Sequence, residues 1–365
     1  MPMPFNTDLR SGDGVLIVRL GAVGDVIRTL PSAAALRTAF PSVRLGWLVE
    51  PGSRSLLPAA PWLDEVFVFP RRRLSTRAML SDPASFPDLL PDFLDSLRAF
   101  RPRLTLDFQG SLKSGLLTLF SGAPMRLGFD RRGSRECSFI FYNRRVAPSS
   151  PRLNRVYKNL ELLQPLGIRP EKLVFPFAPA NLSPGVFRFL DSLEGRSPIA
   201  IHPGTSRKQA HKRWPEANYA VLARYLAAEG CAPILTWGPG EEKIVEAIAS
   251  GSHGAGIMAP PMDLPEMRNL LTRCRLFIGG DTGPMHLAWT HGVPVVALFG
   301  STDPQINGPL GEARRILAPA WADGQPTPRR GDAESIRWIT PDLVLAAARE
   351  LLATPKIPLP EAGRP

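Results

Sequence analysis

The sequence predicts an α/β protein made of two doubly wound domains, each a parallel sheet with helices on both faces. Its 365 residues exceed what one hydrophobic core usually serves. Short, continuous apolar runs alternate with helical patterns in both halves, which is typical of strands buried on both faces. With 44% apolar residues and a mean hydropathy of −0.05, the composition indicates a folded globular chain.

In the N-terminal half, an apolar run at 14–20 leads into a glycine turn and a helical pattern that continues to Phe40. Similar short runs recur downstream, separated by two further helical patterns, of which the first contains Pro87 and Pro91 close to its start. The predicted strands are 43–49, 65–69 and 103–108, and the predicted helices are 86–100 and 113–122.

The alternation starts again after a proline-rich stretch at 173–185, where we place the connection between domains. The predicted N-terminal domain is 1–175 and the C-terminal domain is 185–340. Residues 341–353 form a closing helix with a Thr cap, and the proline-rich tail 354–365 is expected to be disordered. Strands of the second domain are predicted at 198–202, 232–237, near 256, at 275–280 and at 294–300, with helices at 216–229, from 241, at 264–274 and from 284.

The cysteines and the apolar runs of the sequence indicate the cellular compartment. Three widely spaced cysteines, Cys137, Cys231 and Cys274, rule out a disulfide scaffold and lack metal-ligand spacing, so we expect a reducing compartment. No apolar run approaches 18 residues and the first residues lack the pattern of a secretion signal, which together predict a cytoplasmic protein.

The net charge of +11 is uneven, because residues 1–180 hold 25 Lys and Arg against 15 Asp and Glu, whereas the remainder is nearly balanced at 19 against 18. This asymmetry favours an acidic partner for the N-terminal half, although an arginine-rich composition can also mark a GC-rich genome. No helix-turn-helix, RNP or zinc pattern accompanies it, so nucleic-acid binding is not expected.

Ligands of open α/β sheets bind at the carboxyl ends of strands, so three loops attract attention. In RLGAVGDVIRTLP, after the first strand, Asp25 starts a helix, where it either caps free N–H groups or acts as a general base. In HPGTSRKQAHKRWPE, the hydroxyls and backbone of Gly204, Thr205 and Ser206 precede several lysines and arginines, a set suited to a diphosphate unless it is merely a solvated basic loop.

The third loop, GGDTGPMH, follows the strand at 275–280. Pro284 suits a helix start, so Thr282 and Gly283 are expected to offer free N–H groups to an anion. His286 lies one turn further along, and either points to the same anion or packs in the core.

These loops, together with LDFQGSLKSGLL, RLGFDRR and FYNRR, resemble bacterial glycosyltransferase family 9, the lipopolysaccharide heptosyltransferases, from Val15 to Pro309. The resemblance implies a GT-B fold, two Rossmann-like domains facing a cleft, with the lipid-sugar acceptor on the first domain and ADP-L-glycero-D-manno-heptose on the second. It also implies inverting, metal-independent transfer, no cofactor, and a peripheral position at the cytoplasmic face of the inner membrane.

Family roles transfer onto matching positions. Asp25 corresponds to the catalytic base. The implied donor-binding residues are Thr205, Ser206, Lys212, Glu242, Met262, Asp281, Thr282, Gly283 and His286. Glu242 is assigned to the ribose and Met262 to the adenine, with Glu241 as an alternative to Glu242. The loop after Thr205 is longer than in some relatives, which leaves Lys208 as an alternative to Lys212.

The acceptor, a Kdo-bearing lipid A precursor, carries carboxylates and phosphates, which would account for the basic N-terminal half. Candidate contacts are Arg71, Arg72, Arg73, Lys113, Arg131, Arg132 and Arg135. The same residues suit an anionic membrane surface. Among heptosyltransferases, LDFQGSLKSG and FYNRR favour addition of the first heptose. Open alternatives are addition of the second heptose, a family 9 enzyme with another sugar or acceptor, and a protein that binds or epimerises a nucleotide sugar without transferring it.

Overall fold

The computed structural model describes residues 9–59, 61–70, 86–179, 181–319 and 335–353. The chain divides into two compact units, Met1–Ala178 and Pro179–Pro365. The division lies within the proline-rich stretch at 173–185. Within the ranges described, no helix combines the length and apolar content that crossing a membrane requires.

Unit 1 contains six strands: β1 (Gly14–Val18), β2 (Arg44–Val49), β3 (Glu65–Val68), β4 (Pro102–Asp107), β5 (Met125–Phe129) and β6 (Arg144–Val146). Its helices are α1 (Val23–Ile27), α2 (Leu30–Ala39), α3 (Phe86–Ala99), α4 (Leu112–Phe120) and α5 (Arg155–Glu161), and 3-10 turns occupy Pro51–Leu56, Ser138–Phe141 and Gln164–Leu166. The continuous helix expected to Phe40 is broken between α1 and α2, and Pro91 lies inside α3.

All six strands of unit 1 are parallel, in the order β3-β2-β1-β4-β5-β6. The central strand β1 is buried along its full length, because its residues are apolar on both faces. Beneath β1 and β4, a cluster that includes Val15, Ile17, Leu104 and Leu106 forms the core. The sequence left β5, β6 and α5 unpredicted: β5 is partly polar, and the other two are short.

Unit 2 has strands β7 (Ser197–His202), β8 (Cys231–Leu235), β9 (Ile257–Met258), β10 (Leu276–Gly280), β11 (Val295–Leu298) and β12 (Arg314–Leu317). Helices α6 (Pro184–Asp191), α7 (Glu216–Ala228), α8 (Glu242–Gly251), α9 (Leu264–Arg273), α10 (Gly283–Thr290), α11 (Pro304–Asn307) and α12 (Pro341–Ala353) accompany them, together with 3-10 turns at Arg207–Lys212 and Ser335–Trp338. The helix expected from Pro284 begins one residue earlier, at Gly283.

The second sheet is also parallel, in the order β12-β11-β10-β7-β8-β9. Each unit is therefore doubly wound, which confirms the predicted fold class. In such sheets the strand order reverses at one point, and a crevice opens there beyond the carboxyl ends of the strands. The reversal lies between β1 and β4 in unit 1, and between β7 and β10 in unit 2.

Candidate functional site

In unit 1, Asp25 stands at the point of strand reversal. It lies in the first turn of α1, directly after the loop that leaves β1, and its side chain is a quarter exposed. Its carboxylate pairs with Arg19 at 2.7 Å and with Arg28 at 2.6 Å. Within the described part of the chain its carboxylate partners are these guanidinium groups rather than backbone N–H groups, so the capping interpretation does not account for it.

The cations around Asp25 determine its protonation state. Burial disfavours the charged carboxylate, but Arg19, Arg28 and Arg155 outweigh that cost and hold the pKa of Asp25 well below its usual range. Arg19 is itself buried, and its Nε atom meets no hydrogen-bond partner among the described residues. The carboxylate is therefore ionised at neutral pH, beside a buried donor that is not fully satisfied.

Helix α5 brings two more cations to this place. Asn159 of α5 donates to the Arg28 carbonyl at 3.1 Å and to Thr29 Oγ1 at 3.0 Å, which ties α5 to the junction of α1 and α2. Arg155, at the start of α5, and Lys158, one turn later, consequently join the field of Arg19 and Arg28. Burial, reinforced by Arg155, Arg19 and Arg135, lowers the pKa of Lys158 to about 8.

We name Arg19, Arg28, Arg135, Arg155 and Lys158 the cationic cluster. Sequence reasoning placed Arg135 among the acceptor contacts and missed the other four. Arg28 follows Asp25 by three residues and Lys158 follows Arg155 by three, so helical spacing carried a signal for both pairs. Only the packing of α5 against α1 shows that these pairs belong together.

The other predicted acceptor residues that the structure describes lie on α4 and in the turn after β5. Arg131 and Arg132 are exposed in the turn after β5, where Arg132 lies 3.6 Å from Asp130. Lys113 pairs with Glu50 at 2.6 Å and lies over the ring of Phe69. Arg71, Arg72 and Arg73 lie outside the described residues.

Across the strand reversal from Asp25, β4 ends in the buried carboxylate of Asp107. One oxygen accepts the N–H groups of Gln109 and Gly110 at 2.8 and 3.0 Å, and the other accepts the Tyr142 hydroxyl at 2.7 Å. Burial raises the pKa of Asp107, while these hydrogen bonds oppose the rise. Asp107 thus holds the LDFQG loop in place and has no direct access to solvent.

In unit 2, the loop after β7 is fixed from beneath by an arginine. Arg213 donates to Thr205 Oγ1 at 3.0 Å and to the Thr205 carbonyl at 2.8 Å, and Thr205 donates on to the Gln209 carbonyl. Ser206 next to it is exposed and begins the 3-10 turn that carries Lys212. The loop is therefore an ordered turn, with an exposed hydroxyl at Ser206 and a cation at its end.

The structure brings together three predicted donor residues from two segments, the turn after β7 and the start of α10. Lys212 Nζ lies 3.5 Å from Asp281 Oδ2, and His286 Nε2 lies 3.8 Å from Asp281 Oδ1. All three side chains are largely buried, at 14%, 12% and 1% exposure. They surround the start of α10 at the strand reversal, where the helix dipole favours an anion.

Thr282 and Gly283 form the beginning of α10. Thr282 is the N-cap residue, yet its hydroxyl donates back to the Gly280 carbonyl rather than accepting from the helix. The Thr282 side chain therefore accepts no hydrogen bond from the N–H groups of the first turn.

The two neighbouring glutamates at the start of α8 differ sharply. Glu241 folds inward, accepts the Gly238 N–H at 2.8 Å and lies 3.7 Å from His202 Nε2. Its carboxylate also lies against Gly204, where it leaves no space for a Cβ atom. Glu242 is exposed on the helix. Glu241, the alternative, thus adjoins the anion-binding loop more closely than Glu242 does.

Burial lowers the pKa of His202, against the opposing effect of the Glu241 carboxylate. Its Nδ1 atom contacts Thr236 Oγ1 at 3.1 Å, which links the ends of β7 and β8. Met262 is half-buried in the loop after β9. Ala259, three residues earlier in the same loop, accepts the Trp237 indole N–H at 2.9 Å, so this loop is attached to the end of β8.

The predicted donor residues therefore follow four neighbouring strands, β10, β7, β8 and β9, at one edge of the sheet. Two doubly wound units in tandem, each with charged side chains at the carboxyl ends of its strands, form the arrangement expected of the GT-B fold.

Comparisons with known proteins give the same fold and identify a family. The profile of glycosyltransferase family 9 (heptosyltransferase) matches residues 93–334. The Pseudomonas aeruginosa lipopolysaccharide heptosyltransferase 1 is 29% identical over 303 residues, covering 82% of each chain. A glycosyl transferase family 9 structure from Veillonella parvula superposes with a TM-score of 0.76 at 20% identity, covering 95% of this chain and 99% of that one.

An Escherichia coli heptosyltransferase solved with ADP-2-deoxy-2-fluoro heptose has a TM-score of 0.68 at 25% identity, covering 92% of this chain and 99% of the other. The chain belongs to glycosyltransferase family 9, and it is a glycosyltransferase with the GT-B fold.

Proposed function

We propose that this protein transfers L-glycero-D-manno-heptose from ADP-heptose to the Kdo region of a lipid A precursor, in synthesis of the lipopolysaccharide inner core. The observation that carries the proposal is the convergence of Lys212, Asp281 and His286 at the start of α10. A cation, a donor and a helix start in one place suit the diphosphate of a nucleotide sugar. The relative solved with an ADP-heptose analogue supports the same donor.

On this proposal, Thr282 and Gly283 offer N–H groups to the diphosphate, while Thr205, Ser206 and Lys212 approach it from the neighbouring loop. Asp281 orients Lys212 and His286. Met262 lies against the adenine. A glutamate of α8 binds the ribose: Glu242 is the family-based assignment, and the inward position of Glu241 against Gly204 favours Glu241.

Asp25 is the proposed base. Its carboxylate accepts the proton of an acceptor hydroxyl as that oxygen forms a bond to C1 of the heptose. The bond between C1 and the diphosphate oxygen breaks, and its electron pair leaves with ADP. Direct attack on C1 inverts the anomeric configuration. Lys212 and the helix start stabilise the charge that develops on the leaving group, which is why we propose a mechanism that needs no metal.

The cationic cluster gives the acceptor proposal its physical basis. The five cations of the cluster outnumber the carboxylates that act on them, which are Asp25, Asp107 and Asp130. The buried Nε of Arg19 also has no hydrogen-bond partner among the described residues, so the cluster suits an anion. Kdo carboxylates and lipid A phosphates would supply that charge. Lys113, Arg131 and Arg132 are the further described residues that we assign to the acceptor, while the candidates Arg71, Arg72 and Arg73 lie outside the described residues.

Helix α4, which carries Lys113, also has an apolar face suited to an anionic membrane. Helix α4 exposes Leu112, Leu119 and Phe120, with Leu116 half-buried between them, at spacings that share one helix face. Ile140 of the neighbouring 3-10 turn is 57% exposed. Next to it, Arg145 donates a hydrogen bond to the carbonyl of Phe139. Apolar side chains bordered by arginines bind anionic lipid surfaces, so we propose peripheral attachment through this face.

Turnover of ADP-heptose with a Kdo-lipid A acceptor, in the presence of EDTA, tests the central proposal. We expect ADP release that requires the acceptor and is unaffected by chelation. Binding of ADP-heptose without turnover would overturn transfer to this acceptor and point to another acceptor, including one that already bears a heptose. Conversion of the sugar without any acceptor would instead support epimerisation.

Flotation with vesicles tests membrane attachment separately. The wild-type protein is expected to float with vesicles containing an anionic lipid and to remain in solution with neutral ones. Phe120→Glu should lose flotation, whereas Phe187→Glu, on the exposed side of α6 in unit 2, should retain it. Equal flotation of both variants would contradict attachment through α4.

A further inference from the structure

His286 has a neighbour on its own helix whose chemistry restricts it. Trp289, one turn later on α10, directs its indole Nε1 at His286 Nδ1 over 2.9 Å. The two rings meet nearly edge to face, with an interplanar angle of 74°. The His286 ring is buried, whereas the Trp289 ring is partly exposed.

The direction of this hydrogen bond follows from the chemistry of the two rings. An indole N–H donates only, so Nδ1 of His286 must be the acceptor and carries no hydrogen. The ring proton is then on Nε2, the atom that lies 3.8 Å from Asp281 Oδ1. If Nδ1 of His286 also carried a proton, it would face the indole N–H of Trp289. Two donors cannot form a hydrogen bond with each other, so the bond to Trp289 would break.

We propose that Trp289 is a positioning residue, which fixes His286 as a neutral imidazole that donates from Nε2. The inference rests on the proposed function for the identity of the group that Nε2 meets, an oxygen of the nucleotide diphosphate. Lys212 then supplies the positive charge at this site, and His286 supplies a hydrogen bond of fixed direction from Nε2. A donor with its proton fixed on one nitrogen needs no rearrangement when charge develops on the leaving oxygen.

His291, the C-cap residue of the same helix, provides an internal contrast. Its Nδ1 atom lies 2.8 Å from the Leu287 carbonyl oxygen, which can only accept, so His291 carries its proton on Nδ1. Burial, opposed by this hydrogen bond and assisted by Arg268, lowers the pKa of His291 to about 4. The two histidines of α10 are therefore expected to be neutral at pH 7.5 and to hold opposite tautomers.

Nitrogen NMR of the full chain labelled with ¹⁵N-histidine tests the assignment, because protonated and unprotonated ring nitrogens resonate far apart. His286→Asn and His291→Asn identify the two rings by the signals they remove. At pH 7.5 we expect an unprotonated Nδ1 for His286 and an unprotonated Nε2 for His291. A His286 ring protonated on Nδ1, or on both nitrogens, would overturn the proposal whether or not the protein transfers heptose.

Variants of Trp289 connect the tautomer to turnover. Trp289→Phe, which lacks the N–H donor, is expected to give His286 a mixture of tautomers and to lower kcat roughly tenfold, with little change in the KM for ADP-heptose. Trp289→Gln retains an N–H donor and should recover part of both the tautomer signature and kcat. Trp338→Phe, at a position 78% exposed, is the control and should change neither.

The outcomes separate the two proposals. Loss of kcat in Trp289→Phe with an unchanged His286 spectrum would mean that the indole acts only by packing, and would refute the positioning role. An altered spectrum with unchanged kcat would place His286 away from the reacting diphosphate. If the wild-type protein shows the expected spectrum but no heptosyl transfer, the tautomer assignment stands and the proposed function fails.

Discussion

The two units place charge in opposite ways around the same kind of strand reversal. In unit 1, the five cations of the cationic cluster outnumber the carboxylates Asp25, Asp107 and Asp130 that act on them. In unit 2, one carboxylate, Asp281, is shared by Lys212 and His286, of which only Lys212 is a permanent cation. An excess of positive charge suits a partner that must be captured and held. A nearly balanced site suits a diphosphate that must leave after each reaction.

The largest effect is expected from removing the carboxylate of unit 1. Asp25→Asn retains size but cannot accept the acceptor proton, so kcat should fall about 10³-fold. It also leaves the buried Arg19 and Arg28 without their counter-charge, which should lower the free energy of unfolding by about 3 kcal/mol. Steady-state kinetics and urea unfolding measure the two effects.

Asp95→Asn, in an exposed pair with Arg98, is the matched control and should change neither quantity. Because the pKa of Asp25 is lowered in the folded state, its contribution to stability is fully present above the unfolded-state value near 4 and is lost only below it. Turnover should therefore show no acid limb from Asp25 between pH 5 and 7. Unchanged turnover in Asp25→Asn would refute the base assignment.

The second largest effect is expected at Lys212, the permanent cation that we assign to the donor diphosphate. Lys212→Met should lower kcat about 10²-fold and weaken ADP binding, because the leaving charge loses its partner. It also removes the cation that pairs with Asp281, so Lys212→Met with Asp281→Asn should recover stability but not activity. Isothermal titration with ADP checks the first statement, using Lys243→Met, exposed on α8, as the control.

Normal transfer by Lys212→Met would contradict its role and return the assignment to Lys208. That alternative arose because the loop after Thr205 is longer than in some relatives, and the family pattern alone does not decide which lysine is retained. The 3.5 Å approach of Lys212 to Asp281 favours Lys212.

The comparison also explains what the sequence could and could not predict. Glycine loops after apolar strands give local signals, so Asp25, Thr205 and the start of α10 were found from short motifs. The cationic cluster was mostly missed, because Arg155 and Lys158 become neighbours of Asp25 only through the packing of α5, which depends on Asn159. Which glutamate turns inward at the start of α8 depends on helix phase at a boundary, where sequence patterns are least informative.

A smaller effect distinguishes those two glutamates. Glu241→Gln should weaken ADP binding roughly tenfold, because a carboxylate is the stronger acceptor for ribose hydroxyls. Glu242→Gln, on the exposed side, should leave binding unchanged. The reverse pattern would restore the family-based assignment of Glu242. Titration with ADP and with adenine alone separates a ribose contact from an effect on the base.

The smallest expected effect concerns the pH response of unit 1. Because the pKa of Lys158 is lowered to about 8, this cation is lost between pH 7 and 9, and the KM for the anionic acceptor should rise a few-fold over that range. Lys158→Arg keeps its charge and should show a flat profile. Deprotonation also removes a cation repelled by Arg155 and Arg19, so the folded state should gain stability from this residue as the pH rises from 8 towards 10. A rise in KM that persists in Lys158→Arg would assign the response to another group and leave the cationic cluster permanently charged.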